Sequence, residues 1–178
     1  MLFADVKGFS KLTDEQVPLF VEHVLGAVGE LLVETDDQPI FRNTWGDGLY
    51  LVFDDVGAAG RFALDLNQRL NVDWQERGLP NELAIRIALH AGPVYRCHDP
   101  VTQKTNYTGS HVSHAARIEP ITPPGQVYAS QEYAAIASAQ CIDGFVSEYV
   151  GEVPLAKDYG TFPTYHIRAR RPDEACPI

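Results

Sequence analysis

Two carboxylates stand where they could do chemistry together. Asp5 closes the apolar run Met1-Leu2-Phe3-Ala4, and Asp47 lies inside Asn43-Thr44-Trp45-Gly46-Asp47-Gly48-Leu49-Tyr50. The second stretch is a Gly-Asp-Gly turn between apolar runs at Ile40–Trp45 and Leu49–Phe53, which is the pattern of a β-hairpin. A strand end and a hairpin tip that each present a carboxylate suit hard divalent cations, which take carboxylate and carbonyl oxygens. Either aspartate alone reads equally well as a turn or capping residue. Lys7-Gly8-Phe9-Ser10 follows Asp5 and leads toward a helix, so its N–H groups can hold an anion. His111 and His114 are three residues apart, a spacing that can bind metal. No carboxylate or cysteine near them in sequence completes a cluster, so they, with His90 and His98, read as solvated or packing residues.

The elements that must position these groups follow from periodicity. Met1–Val6 reads as a buried strand. Thr13-Asp14-Glu15-Gln16 has the form of a capping box and opens a helix to about Glu34, with Asp14 as an alternative N-cap because Pro18 belongs in the first turn. Leu19, Phe20, Val24, Val28, Leu31 and Leu32 give that helix one buried face. The hairpin strands run Pro39–Trp45 and Leu49–Phe53. A second helix spans Val56–Trp74, with Ala59, Phe62, Ala63, Leu66 and Leu70 on one stripe. Leu83, Ile85, Ile87 and Leu89 alternate with Ala84, Arg86, Ala88 and His90 as a two-faced strand. Ala91-Gly92-Pro93 breaks it and Val94–Cys97 continues it. His98–Asn106 reads as a polar loop, Gly109–Ile118 as a short helix and Gln126–Ala129 as a strand. A helix capped by Ser130 runs to about Ala137, and Phe145–Val150 and Thr164–Ile167 close the sheet. The fold class is α+β, helices flanking a mainly antiparallel sheet.

The chain has 178 residues, 45% of them apolar, and a net charge of −10. That size suggests a single domain over residues 1–167 with a polar C-terminal tail at 168–178, in which Arg168, Arg170 and Arg171 read as solvated. The negative charge argues against a nucleic-acid partner. Cys97, Cys141 and Cys176 are odd in number and far apart, so neither a disulfide framework nor a structural zinc site is expected, and a reducing, cytoplasmic setting fits. No apolar run of 18 residues is apparent, so no membrane span is expected.

Four further motifs carry a family resemblance. Phe3-Ala4-Asp5-Val6-Lys7-Gly8-Phe9-Ser10 resembles the first strand and loop of class III nucleotide cyclases, the family of adenylate and guanylate cyclase catalytic domains. Gly46-Asp47 resembles that family's second metal motif, and Arg86-Ile87-Ala88-Leu89-His90-Ala91-Gly92 its central strand. Gly109-Ser110-His111-Val112-Ser113-His114-Ala115-Ala116-Arg117, with Gly125-Gln126-Val127-Tyr128-Ala129-Ser130, resembles its G-x-x-V-N-x-A-A-R helix and following strand. The match keeps the family order from residue 2 to about residue 167. The resemblance implies a ferredoxin-like core and a head-to-tail homodimer with active sites between subunits. It implies conversion of a nucleoside triphosphate to its 3′,5′-cyclic monophosphate and pyrophosphate, with two Mg²⁺ or Mn²⁺ ions per site. Asp5, Asp47 and the Val6 carbonyl would be the metal ligands, Gly8 and Phe9 the phosphate loop, and Arg117 the group that stabilises developing phosphoryl charge across the dimer.

Three departures from the family pattern bear on substrate. Ser113 replaces the helix asparagine. Lys157 is the only candidate for the C-terminal phosphate lysine. The base-reading positions hold Asn43 and Asn106, where adenylate cyclases typically carry Lys with Asp or Thr and guanylate cyclases Glu with Cys. An amide offers both donor and acceptor. Two amides complement uracil, and they could serve other bases. Trp45 and Tyr50 lie beside the hairpin turn and would narrow a base site against a purine, although aromatic residues in strands are usually core, and Arg42 would donate to a base carbonyl. The run Arg42-Asn43-Thr44-Trp45-Gly46-Asp47 resembles the pyrimidine cyclases of bacterial Pycsar anti-phage systems, which make cyclic UMP or cyclic CMP for a separate effector protein. Adenylate cyclase activity is one alternative, and a catalytically silent nucleotide-binding or dimerisation module is another. A diguanylate cyclase or polymerase-palm relative is disfavoured, because no Gly-Gly-Asp/Glu-Glu-Phe run stands at the hairpin.

Overall fold

Alternation along two strands sets the architecture. In the computed structural model, which describes residues 1–174, β1 (Leu2–Lys7) turns Leu2, Ala4 and Val6 to one face of a sheet. Phe3 and Asp5 fall on the other. β4 (Ala84–Leu89) repeats the pattern, with Ile85, Ile87 and Leu89 against Arg86 and Ala88. The two strands pair antiparallel over six residues, which sets Asp5 opposite Arg86. β3 (Gly48–Val52) flanks β1 on its other side, and β2 (Phe41–Trp45) pairs with β3 at the edge. Beyond β4 stand β7 (Val127–Ser130), β9 (Thr161–Ala169) and β8 (Phe145–Pro154). The seven-stranded order is β2-β3-β1-β4-β7-β9-β8, antiparallel throughout except for the parallel β4–β7 pair. This is the α+β architecture expected from the sequence.

One face of the sheet carries the larger core. Helices α1 (Gln16–Phe20), α2 (Gly26–Glu34), α3 (Val56–Leu70) and α5 (Gln131–Ala139) cover it, burying Phe20, Val28, Phe62, Leu66 and Tyr133. A π turn at Val21–Leu25 joins α1 to α2, so residues 16–34 run as one helix. By length and composition alone this helix could cross a membrane, which the sequence reading did not anticipate. Its apolar face lies in the core instead, through Phe20, Val24, Ala27, Val28 and Leu31. Gln16 Oε1 accepts the Thr13 N–H at 3.1 Å, so half of the predicted capping box forms. The Asp55 carboxylate caps α3 by accepting from the Ala58 N–H at 2.6 Å. α3 stops at Leu70, four residues short of the expected end, because Asn71 leaves helical dihedrals. The opposite face of the sheet buries a smaller cluster, including Phe3, Tyr50, Val52 and Ala88, beneath α4 (Ser110–Ile118).

Two expectations are corrected. Val94–Cys97 does not prolong β4. Tyr95–Asp99 is β5 of a separate two-stranded sheet with β6 (Lys104–Thr108), so of the expected loop His98–Asn106 only residues 100–103 form a turn and the rest is strand. Asp99 holds that turn by accepting from the N–H groups of Val101 and Thr102. Of the C-terminal arginines only Arg171 is exposed as expected; Arg168 and Arg170 are not solvated. Arg168 lies within β9 and bonds Glu148 and Glu174 at 2.7 and 2.8 Å, while Arg170 donates to the Ile142 carbonyl at 2.9 Å. Cys176 and the end of the tail lie outside the described residues.

Packing around α3 gives a test of the fold. A Cβ at Gly60 would stand 2.4 Å from the Phe145 ring and 2.6 Å from the Tyr133 hydroxyl, whereas at exposed Gly29 it would meet nothing within 4 Å. Gly60→Ala is therefore expected to cost about 1–3 kcal/mol by overpacking. Gly29→Ala is expected to stabilise by about 0.5–1 kcal/mol through helix propensity. Urea unfolding of both variants checks the opposite signs.

Candidate active site

β1 outruns its partner β3. Their register ends at Ala4 opposite Leu49, so the backbone from Asp5 onward has no strand on that side. The hairpin tip fills the space. Trp45 pairs with Gly48, leaving a two-residue turn of Gly46 and Asp47. Gly46 adopts φ +64°, the left-handed conformation required at the first position of a turn with this twist. The turn delivers the Asp47 carboxyl to that of Asp5, and the two share a hydrogen bond. Burial is the main reason the Asp47 carboxyl is pushed up to about 6, and the Asp5 bond and charge add to it. The N–H groups of Asp47 and Val6 pull the other way.

A guanidinium completes the arrangement. Arg86 donates through Nη2 to Asp5 Oδ2 and sets Nε 3.0 Å from Glu119 Oε1. Glu119 opens the single 3₁₀ turn after α4. Nε and Oε1 are close enough for an ion pair but not aligned for a hydrogen bond, and neither has another partner among the described residues. Burial pushes Glu119 up to about 7, Arg86 draws it back down, and Asp5 and Asp47 raise it further. Asp5 and Glu119 thus share one guanidinium, and Asp47 joins them through Asp5, so negative charge exceeds positive here and the Asp47 and Glu119 carboxyls are both pushed up. Divalent cations fit this donor set. The Asp5 and Asp47 carboxylates, with the open backbone at Val6, would hold them.

The cleft in front of these groups measures about 420 Å³ and is lined by residues 5–11, Asp47, Glu82 and Arg86. Gly8 turns the chain into it at φ +96°, where a Cβ would also press on Leu83 at 3.2 Å. Phe9 opens a 3₁₀ turn, and its ring packs on Phe20 with centroids 4.7 Å apart and touches the hairpin tip. Its side chain is therefore a buttress, and what it can offer an anion is a backbone N–H at the start of a turn.

The remaining predicted residues lie elsewhere in the chain. Ser113 and Arg117 stand one turn apart on α4, Ser113 exposed and Arg117 half-buried. The Ala156 N–H donates to the Arg117 carbonyl at 3.3 Å, so the β8–β9 turn that carries Lys157 docks on the end of this helix. Lys157 is exposed with φ +61°. None of the three lines the Asp5–Asp47 cleft of its own chain.

Asn43 is exposed on β2 and pairs with Tyr50, on the sheet face that carries Phe3 and Asp5. Arg42, its neighbour, points to the other face because strand side chains alternate, so it does not share a base site with Asn43. Tyr50 is also corrected. It is 3% exposed, stacks on Phe3 at 4.6 Å and donates its hydroxyl to the Tyr107 carbonyl, which makes it core. The Asn106 amide is engaged inside its own hairpin, with Oδ1 accepting from the Tyr107 N–H and Nδ2 donating to Asp99. Arg86 was missed as a site residue. Its signal was available, a lone cation in an otherwise apolar strand.

Residues 1–169 match the family of the adenylate and guanylate cyclase catalytic domain. The chain belongs to that family. The cyclase domain has the fold of the adenylyl cyclase CyaB from P. aeruginosa, with a TM-score of 0.80 at 17% identity over 98% of this chain and 95% of that one. It also resembles the guanylyl cyclase Cya2, with a TM-score of 0.77, 20% identity and coverage of 98% and 94%. The guanylate cyclase domain of RhGC from Catenaria anguillulae, solved in complex with GTP, superposes with a TM-score of 0.73 at 19% identity over 96% and 95%. By sequence, 105 residues are 31% identical to R818 of Acanthamoeba polyphaga mimivirus, a protein named as a serine/threonine-protein kinase/receptor. The match takes in 49% of this chain, and the chain spans only 6–7% of the length of the curated relatives it matches.

The carboxylate pair predicts a stability signature. The folded Asp47 carboxyl titrates near 6 against 3.8 in the unfolded chain. The stability gained by keeping it protonated is present at low pH and is lost as pH rises through 6. Asp47→Asn is therefore expected to raise Tm by a few degrees near neutral pH in cation-free buffer, with the gain fading toward about pH 4. Saturating Mn²⁺ is expected to reverse the order by stabilising only the parent. Thermal unfolding across pH, with and without Mn²⁺, checks all three outcomes.

Proposed function

We propose that this cyclase domain converts a nucleoside triphosphate to its 3′,5′-cyclic monophosphate and pyrophosphate. The observation that carries the reading is the pairing of Asp5 and Asp47 beside Arg86 in a cleft of nucleotide size. In the reaction the ribose 3′-oxygen loses its proton and bonds the α-phosphorus in line, while the bond to the pyrophosphate oxygen breaks. Divalent ions, when bound, neutralise the phosphates and activate the 3′-hydroxyl. The Asp5 and Asp47 carboxylates hold those ions against the open edge of β1. The turn at Gly8 and Phe9 offers backbone N–H groups to the triphosphate. Arg86, already poised between carboxylates, can exchange one of them for a phosphate oxygen.

Arg117, Ser113 and Lys157 complete the site from a second copy. Their absence from the lining of their own chain's cleft supports this, and proteins of this fold include a guanylyl cyclase domain described as a non-canonical dimer. Arg117 would meet developing phosphoryl charge with a fixed, permanently charged fork. Ser113 can bond the ribose or phosphate.

The base we favour is a pyrimidine, uracil ahead of cytosine. The support is the exposed Asn43 amide on the sheet face of Asp5, with Trp45 two residues further along the same face. The product would then serve a separate effector, in the manner of anti-phage signalling. ATP is the runner-up substrate. Ser113 in place of an asparagine favours a silent nucleotide-binding module as the reading of another class.

Incubating the purified chain with ATP, GTP, CTP and UTP in Mn²⁺, with product separation, tests these readings together. UTP or CTP turnover above the purines is expected. Preferred ATP turnover overturns the pyrimidine assignment, and no turnover with any triphosphate overturns the enzyme. Arg117→Ala is expected to lower kcat about 10²–10³-fold. Mixing inactive Asp47→Ala and Arg117→Ala chains is expected to restore up to about a quarter of the parent activity, because a two-fold heterodimer rebuilds one intact site. No restoration would overturn the shared site.

A further inference from the structure

Three histidines that the sequence left as isolated residues meet at the far end of β4. His90 follows Leu89 and is 1% exposed. It lies four residues from Arg86, about 13 Å along the strand, so it is separate from the carboxylate cleft. Its Nδ1 is 2.7 Å from Ser130 Oγ, the N-cap of α5, and 3.7 Å from Glu132 Oε2 in that helix's first turn. Its Nε2 is 2.8 Å from His111 Nδ1, and its ring lies 4.6 Å from that of His114. One ligand atom from each of His90, His114 and Glu132 can be chosen so that all lie within 4.8 Å of one another. The three residues come from the segment just after β4, from α4 and from α5, so only the assembled fold brings them together.

We propose that His90, His114 and Glu132 form a second cation site that takes an imidazole-preferring divalent transition metal of the Zn²⁺ class. Two imidazoles and one carboxylate are a zinc ligand set that leaves a fourth position open. Imidazole also separates this site from the all-oxygen set at Asp5 and Asp47, which suits Mg²⁺ or Mn²⁺. With Nδ1 as the donor of His90, the Nε2 bond to His111 becomes the outer partner that fixes tautomer and ring direction. Gly92 makes room for that partner, because a Cβ there would lie 2.2 Å from His111 Nδ1. A cleft of about 310 Å³ bordered by Phe53, Asp54, Gly92 and Ile136 opens beside His90 and provides entry.

Metal binding contracts the cluster. Ligand atoms of a tetrahedral zinc site stand roughly 3.3 Å apart, given Zn–N distances near 2.0–2.1 Å. Closing the wider separations, which reach no more than 4.8 Å, would draw α4, which carries Ser113 and Arg117, toward α5. The Ser130 hydroxyl gives up Nδ1 to the metal and keeps its cap on the Tyr133 N–H.

The test titrates Co²⁺ and Zn²⁺ into metal-stripped Asp47→Ala chain, so that the carboxylate site is silent. One equivalent of Co²⁺ is expected to give the intense visible absorption of low-coordinate cobalt, with Zn²⁺ displacing it and raising Tm. Glu132→Gln, an exposed and nearly isosteric change, and His114→Ala are each expected to weaken binding about 10–100-fold. Mg²⁺ should not compete. Absence of a stoichiometric Co²⁺ spectrum, or affinity unchanged in both variants, overturns the proposal.

Discussion

Unbalanced negative charge governs this structure. Asp5 and Glu119 meet on a single guanidinium, Asp47 adds a third carboxyl through Asp5, and each arrives from a different element. β1 must overrun β3 for Asp5 to reach open space. The turn after β2 must be two residues long, with glycine first, for Asp47 to meet it. The 3₁₀ turn after α4 must fold back for Glu119 to reach Arg86. A chain optimised only for stability would have neutralised this cluster. Its persistence is the kind of local inconsistency that marks a functional site. The surrounding strands, apolar on both faces, hold the arrangement against its own repulsion.

The sequence made some of this legible and hid the rest for physical reasons. Asp5 and Asp47 could be found because local signals fix them: one follows an apolar run, and the other lies in a Gly-Asp-Gly turn. The α3 stripe could be found because helical periodicity is local. The facing of Arg42 and Tyr50 could not be settled in that way. Adjacent strand residues point to opposite faces, and which face holds the site depends on pairing with β1, decided far away in the chain. Arg168 and Arg170 looked solvated because Glu148, Glu174 and Ile142 become their neighbours only once β8 and β9 pair. The histidine cluster was invisible for the same reason. Glu132 is distant in sequence, and Ser130 brings it into place by capping α5.

α4 links the two regions of chemistry. Its inward side packs Ala115 and Ile118 on the sheet and turns His114 toward His90. Its outward side presents Ser113, and Arg117 sits in its last turn. The β8–β9 turn rests against this helix through the Ala156 backbone bond and through Tyr159 and Phe162, whose rings meet His114 edge-on. A shift of this helix would therefore carry that turn, and Lys157 on it, along with it.

The central position of β1 also has a consequence in time. It pairs with β3 and with β4, and its Asp5 meets Arg86 across 81 residues of chain. During synthesis this apolar strand emerges before either neighbour. At about 5–20 residues per second it waits on the order of ten seconds for β4 to be made. Until β3 is made it is unpaired on both sides, and until β4 is made it keeps one open, aggregation-prone edge. Codon usage or chaperone engagement between β1 and β4 would thus bear on the yield of this domain, since β1 waits through more chain for its second partner than any other strand of the sheet.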